Sequence, residues 1–246
     1  MNKEPKILVL LPFKMEGEEF ISYNRDVLFP KGVDIKGLDI GYRAAESFAD
    51  GGIVMHHMIR AIKQAEQDGY DAVLIGCYLD IGLKEGRELC TMPVFGVSQV
   101  SLHVCAMLGH KIGIITPTIQ VKRGVEMNLR EWGMAHRCAV RAIGATVEEF
   151  LGSRNSETGK ALVEKMVERG IQLIEQDDVN VLTIGCGGTY WAVEEAKKEL
   201  IARGYGDVPF VSPHKTAVEV IRALLKFEGL THSKNQFPYL GGYKEL

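Results

Sequence analysis

Apolar residues come along this chain in two alternating rhythms. Lys6-Ile-Leu-Val-Leu-Leu-Pro12 is a short, unbroken apolar run closed by proline, the pattern of a strand buried on both faces. From Ile53 to Asp68 the apolar residues Met55, Met58, Ile59, Ile62 and Ala65 stand near helical spacing, and Gly69 stops the run. The rhythm then repeats. Strands are expected at Asp71–Cys77, Pro93–Val97, Lys111–Thr116, Ala139–Ile143, Asn180–Cys186 and Pro209–Ser212. Between them fall a polar helical stretch ending at Leu89 and helices near Val100–Leu108, Lys122–Trp132, Glu157–Gln176, Tyr190–Arg203 and Thr216–Glu228. Strand–helix alternation at this spacing predicts an α/β fold built on parallel sheets.

The pattern is also duplicated. Glu66-Gln-Asp68 followed by Val73-Leu-Ile-Gly-Cys77 has a counterpart in Glu175-Gln-Asp177 and Leu182-Thr-Ile-Gly-Cys186, at one offset of 109 residues (175 − 66 and 186 − 77). Lys6–Pro12 matches Lys111–Pro117 at an offset of 105 (111 − 6), and Met92-Pro-Val-Phe matches Val208-Pro-Phe-Val at 116 (208 − 92). Three strands in one order describe two copies of one α/β unit with loop insertions. The expectation is two similar lobes related by a pseudo-two-fold, with the active site in a cleft between them. The first lobe would take residues 1–105 and the second 106–215. The helix near 216–228 could pack back onto the first lobe, and residues 229–246 would form a C-terminal tail.

Composition narrows the class without choosing within it. The 246 residues are 46% hydrophobic and 25% charged, as in an ordinary globular protein. Lys+Arg 29 against Asp+Glu 32 leaves a net charge of −3, which argues against a nucleic-acid partner. The apolar runs are far shorter than the roughly 20 residues of a membrane span. The start of the chain, Met-Asn-Lys-Glu-Pro-Lys, lacks the form of a signal peptide. Five cysteines are an odd and sparse set for a disulfide scaffold, so a reduced, cytoplasmic protein is expected.

Chemistry concentrates where each repeat ends its second strand on Ile-Gly-Cys. Ligands of parallel sheets gather at the carboxyl ends of strands. Cysteine is also a common buried small residue, and either one alone reads as core filler. Cys77 and Cys186 at matched repeat positions read otherwise. Facing one pocket from opposite sides, one sulfur as thiolate takes a proton from a carbon next to a carbonyl, and the other as thiol returns one to the opposite face. A helix N-terminus near the sulfur is expected to lower its pKa. Backbone N–H groups of Tyr78, Leu79, Gly187 and Gly188 are the expected donors to the developing enolate oxygen. The scheme requires no metal and no organic cofactor.

Asp71-Ala-Val-Leu-Ile-Gly-Cys-Tyr-Leu-Asp-Ile-Gly-Leu83 with Arg87-Glu88, Pro93–Val97, Gly113–Pro117, Val140–Gly144 and Ile184–Cys186 together resemble the Asp/Glu/hydantoin racemase superfamily over nearly the whole chain. The ending Gly229-Leu-Thr-His-Ser-Lys234, with Tyr239 and Lys244, resembles its hydantoin and allantoin racemase branch. The resemblance implies two catalytic cysteines, Cys77 and Cys186, that exchange protons with C5 of a hydantoin ring or the α-carbon of an amino acid. It also implies a homo-oligomer, for which the tail from Asn235 to Leu246 could serve as an arm. Thr116 resembles the family threonine that hydrogen-bonds substrate; as a strand-end residue it could equally cap the next turn. Cys77-Tyr78-Leu79 departs from the Cys-Asn-Thr of the amino-acid racemases. Ile81, Gln99 and Thr189-Tyr190-Trp191 depart from the hydantoin branch.

Other candidates weigh less. Ser98 and His214 are repeat equivalents (214 − 98 is again 116) and follow strand ends, so both are expected to line the cleft. Asp80 is read as a helix cap. His56-His57 lack metal-ligand spacing, and no metal site is expected. Cys90, Cys105 and Cys138 have no repeat partner and are read as structural. The sequence thus predicts a cofactor-independent racemase acting on a small molecule, a 5-substituted hydantoin or allantoin-like ring first. An Asp/Glu-type amino-acid racemase, or a maleate-type isomerase or decarboxylase, stands second. A non-catalytic two-lobe binding protein is the reading from another class.

Overall fold

Continuous apolar runs form the centre of each sheet because a parallel sheet has both faces covered and leaves its inner strands no polar side. The computed structural model describes residues 4–14, 33–39, 45–151, 153 and 155–238. The chain divides into two units, the first made of Met1–Ala45, Ala49–Val97 and Ala217–Leu246, the second of Glu46–Phe48 and Ser98–Thr216.

In the first unit β1 (Ile7–Leu11), buried at every position, pairs in parallel with β2 (Val33–Gly37) on one side and β3 (Ala72–Ile75) on the other. β4 (Val94–Gly96) closes the order β2-β1-β3-β4. Helix α1 (Phe48–Gln67) turns Val54, Met58, Ile62 and Ala65 inward, a stripe at helical spacing that packs with Leu8, Leu10, Val73 and Ile75. The short α2 (Leu83–Leu89) leads from β3 towards β4, and α3 (Val97–Leu108) follows β4 without a loop. At about 1.5–3 kcal/mol for each large apolar side chain buried, such a stripe outweighs any local propensity.

The second unit repeats the plan. β5 (Ile112–Thr116) lies between β6 (Cys138–Ala142) and β7 (Val181–Ile184), and β8 (Phe210–Val211) completes the parallel order β6-β5-β7-β8. α4 (Ile119–Glu131) starts behind Thr118, whose hydroxyl accepts the Val121 N–H at 3.2 Å. α5 (Val147–Leu151) precedes α6 (Glu157–Asp177), which is capped by Ser156 accepting the Gly159 N–H at 3.1 Å. A 3₁₀ turn at Gly187–Thr189 runs into α7 (Tyr190–Ala202), and α8 (Pro213–Leu224) follows β8 with proline in its first turn, where no N–H is missed. Both four-stranded sheets are parallel, and the fold is α/β.

Several boundaries moved for identifiable reasons. The helix expected from Ile53 begins at Phe48, before the Gly51-Gly52 pair that hides its start in sequence. α3 begins at Val97 rather than Val100, α4 at Ile119 rather than Lys122, and the last helix runs over 213–224 rather than 216–228. β2 and α5 have no counterpart in the sequence reading. Residues 229–238 hold neither helix nor strand. Of the expected oligomer arm from Asn235 to Leu246, residues 235–238 are described, and Tyr239, Lys244 and the rest lie outside the described residues. Among the described residues no helix is long and apolar enough to cross a membrane.

Candidate functional site

The two Gly-Cys steps are built alike. In the first unit Gly76 follows β3 and donates its N–H to the Leu10 carbonyl of β1 at 2.8 Å; in the second, Gly185 follows β7 and donates to Ile115 of β5 at 2.7 Å. A methyl group on Gly76 would meet Leu11 Cδ2 at 2.5 Å and Val9 Cγ1 at 3.2 Å. One on Gly185 would meet Thr116 Cγ2 at 2.7 Å and Ile114 Cγ2 at 3.2 Å. These neighbours are repeat equivalents, so each glycine is required by the same crossing of the chain over the central strand. The next residue in each case is the cysteine, delivered to the carboxyl end of its own sheet.

The surroundings of the sulfurs also match. The Gly188 N–H points at the Cys186 sulfur, 3.3 Å away, and the Leu79 N–H is hydrogen-bonded to Cys77. Two of the four N–H groups expected to serve a substrate oxygen are thus turned onto sulfur, the acceptor next to them in a tight turn. Tyr78, 1% exposed, is the largest fully buried side chain among the described residues. Gly187 and Gly188 lie buried in the 3₁₀ turn, against which α5 packs.

Cys77 is half-buried and packs on the first unit's core cluster with Leu79. Burial pushes its thiol up to about 12, opposed by the Leu79 N–H and reinforced by the charge of Asp80. The lowered value expected from a helix N-terminus is not found. The reason is spatial: α2 begins only at Leu83, six residues on (83 − 77), behind Gly82 in the left-handed region at φ 87°. Burial likewise drives Cys105 and Cys138 to about 12 and Cys90 to about 11. All five cysteines are free, none in a disulfide.

Thr116 ends β5 with 1% of its surface exposed, its hydroxyl 3.4 Å from the Thr118 and Arg141 carbonyls and its methyl toward Gly185. Ser98 and His214 are completely buried, each the second residue of a helix that springs directly from the end of a sheet, α3 and α8. Cys186, Gly187, Gly188 and Thr116 thus gather at the carboxyl end of the second sheet, and Cys77, Tyr78 and Leu79 at that of the first. Among the described residues no three His, Cys, Asp or Glu side chains are grouped as metal ligands are.

Asp80 is the residue the sequence reading misplaced. Spacing puts it forward as the cap of α2, yet the N-cap position of that helix is held by Gly82, which has no side chain to cap with. Asp80 instead sits in the left-handed region at φ 50°, 6% exposed, with its carboxylate over the Cα of Gly96. A Cβ on Gly96 would overlap that carboxylate. Only the pairing of β3 with β4 brings the two residues together, so spacing along the chain gave no signal.

The model of one protein family, described as Asp/Glu/hydantoin racemase, matches residues 34–221. A hydantoin racemase of Pseudomonas sp. (strain NS671) is 28% identical over 162 residues, 65% of this chain and 63% of that protein. The matched stretch therefore spans somewhat under two thirds of that relative's length. A hydantoin racemase of Rhizobium meliloti is 26% identical over 196 residues, 79% of this chain and 76% of the relative. Among solved structures, an allantoin racemase from Klebsiella pneumoniae superposes with a TM-score of 0.81 at 24% identity, covering 98% of this chain and 96% of its own.

Proposed function

The chain belongs to the Asp/Glu/hydantoin racemase family, and on that premise we propose that it is a racemase of the hydantoin or allantoin type. It inverts the carbon next to a carbonyl in a 5-substituted ring by proton transfer between Cys77 and Cys186. One observation carries the reading: two Gly-Cys steps in equivalent places, each with the N–H two residues on turned to its sulfur. The thiolate of one cysteine takes the C–H proton, and the electron pair of that bond moves into the carbonyl as an enolate. The thiol of the other returns a proton to the opposite face, so atoms and charge balance and the two sulfurs exchange roles. The ring's own carbonyls stabilise the enolate, with backbone N–H groups of the cysteine turns as donors. A reducing cytoplasm would keep both sulfurs competent. The family resemblance supports a homo-oligomer, which size-exclusion chromatography with light scattering reads directly.

The test is α-proton exchange in D2O, followed by NMR and optical rotation. Enantiopure 5-benzylhydantoin, allantoin, aspartate and glutamate form the panel, each against a blank without protein. Exchange above blank with loss of rotation for a ring substrate is expected. Exchange confined to an amino acid keeps the chemistry and moves the substrate; silence across the panel overturns the reading. Cys77→Ser and Cys186→Ser should each lower racemisation at least about a thousandfold, since inversion needs a group on both faces. Full activity in either variant excludes the two-thiol mechanism.

A further inference from the structure

The two cysteine turns, so alike in their backbone, differ in charge at one matched position. Three residues after Cys77 stands Asp80, whose N–H donates to the Cys77 carbonyl at 2.8 Å. Three residues after Cys186 stands Thr189 (189 − 80 is the repeat offset, 109), whose hydroxyl donates to the Cys186 carbonyl at 3.0 Å. Both side chains are buried, Asp80 with 6% and Thr189 with 2% of the surface exposed. One turn therefore carries a buried anion and the other a neutral hydroxyl.

We propose that Asp80 is a positioning residue that makes the two sulfurs unequal: its buried carboxylate holds Cys77 as the resting proton donor, while Thr189 at the matching place leaves Cys186 as the resting acceptor. The assignment of roles rests on the racemase reading above, but the inequality of the sulfurs does not. A negative charge near a thiol disfavours its thiolate, and the effect grows where water is excluded. The structure holds that charge firmly in place. Asp80 occupies a left-handed conformation that aspartate and asparagine tolerate better than other residues with a side chain, and its carboxylate is packed on Gly96 of β4. The same charge acts on Arg87 of α2, favouring the charged guanidinium against the burial that opposes it. Arg87 is fixed by its Nε bond to the Val94 carbonyl at 3.0 Å and lies over the Phe237 ring, 5.8 Å from its centre. Cys77 from its own turn, Gly96 from β4 and Arg87 from α2 are among the residues that face Asp80. Beyond Arg87, His232 and Lys234 stand on the C-terminal segment.

Exposure and thiol acidity predict opposite orders of reaction, which makes the inference testable on the intact protein. Cys77 is half-buried and Cys186 is 9% exposed, so access alone would have iodoacetamide find Cys77 first. Burial of the Cys77 sulfur, reinforced by the Asp80 charge, predicts that Cys186 is alkylated first at pH 7.5, and the Asp80→Asn variant isolates the charge. The measurement is the rate at each cysteine between pH 6 and 10, read by peptide mass spectrometry. Asp80→Asn keeps the shape and the left-handed turn and removes the charge. It should raise Cys77 labelling at pH 7.5 by about three- to tenfold, since labelling below a thiol's pKa follows its thiolate fraction, and leave Cys186 where it was. Arg87→Gln removes the balancing cation and should slow Cys77; a merely loosened fold would speed both sites in both variants. Cys77 reacting first in the wild type, or an unchanged Cys77 profile in Asp80→Asn, overturns the inference. Labelling as expected without turnover on any substrate would sink the racemase reading and leave the charge asymmetry standing.

Discussion

At the scale of single residues, the glycines before the two cysteines decide whether either sulfur is held in place. Their replacement by alanine separates two kinds of crowding. On Gly76 the new methyl meets Leu11 Cδ2 at 2.5 Å, the far end of a flexible side chain that can swing aside. On Gly185 it meets Thr116 Cγ2 at 2.7 Å, one bond from a β-branched carbon with few rotamers to choose from. The deeper overlap is therefore the more easily relieved. Gly185→Ala should cost about 2–3 kcal/mol and Gly76→Ala about 1 kcal/mol, within the range for overpacked cores. Urea midpoints at unchanged slope give both numbers; the reverse order would mean that Thr116 moves more freely than its burial implies. Activity adds a second reading, because a displaced Gly185 carries Cys186 and the Gly188 N–H with it.

At the scale of elements, the C-terminal segment shows what tertiary structure adds to local pattern. β4 lies at the edge of its sheet, and an edge strand leaves backbone groups open to another chain. Here the Val94 N–H donates to His232 Nε2 at 2.7 Å, and the Val94 carbonyl accepts from Arg87. Thr231 donates to the Thr91 carbonyl at 2.6 Å, and Lys234 donates to the Arg87 and Cys90 carbonyls. His232→Ala should leave the Val94 amide fast in hydrogen exchange and cost about 1–2 kcal/mol, and His232→Gln, whose amide oxygen can accept, should recover part of both. Unchanged Val94 protection in the alanine variant would assign the edge to other residues. The sequence foreshadowed little of this, since Gly229–Lys234 stood out only by resemblance. What it did reveal were the buried strands, because a strand covered on both faces is written as a continuous apolar run, and the duplication, because such runs recur at nearly constant offsets. β2 escaped because a five-residue edge strand alternates, with Asp34 and Lys36 outside, and that pattern is common in loops. Both cysteines could be singled out from repeat equivalence. Asp80 could not, because its place is set by Gly96 on a neighbouring strand.

At the scale of the whole molecule, the groups most perturbed by acid-sensitive contacts are distributed unequally between the two units. Burial alone would raise Glu66, but Lys63, the Thr91 and Met92 amides and the Thr91 hydroxyl hold it down at about 2. Its Oε1 accepts Thr91 N at 2.6 Å, Thr91 Oγ1 at 2.8 Å and Met92 N at 3.0 Å, which anchors the turn into β4. Burial, helped by the nearby Arg87 charge, brings His232 down to about 4. Both lie in the first unit. Each has a folded value below its unfolded one, so each contributes stability that is present at higher pH and lost on acidification. For His232 the loss starts near the unfolded value of 6.5 and is complete below about 4; for Glu66 it runs from 4.5 down through about 2. The two losses are on the order of 2 kcal/mol each, once partial access of water is allowed for. Both tryptophans, Trp132 and Trp191, belong to the second unit, where Trp191 is buried and donates its indole N–H to the Phe150 carbonyl at 3.0 Å. Tryptophan fluorescence therefore reports on the second unit, while far-ultraviolet circular dichroism reports on the helices of both. Lowering the pH from 7 to 2 should reduce the dichroism before the fluorescence changes. Glu66→Gln, which removes the carboxylate that binds the turn, should start that early loss from a less stable protein and make it shallower below pH 4.5. Coincident transitions by the two probes would mean instead that the units unfold as one cooperative body, and that the acid cost of Glu66 and His232 is borne by the whole chain.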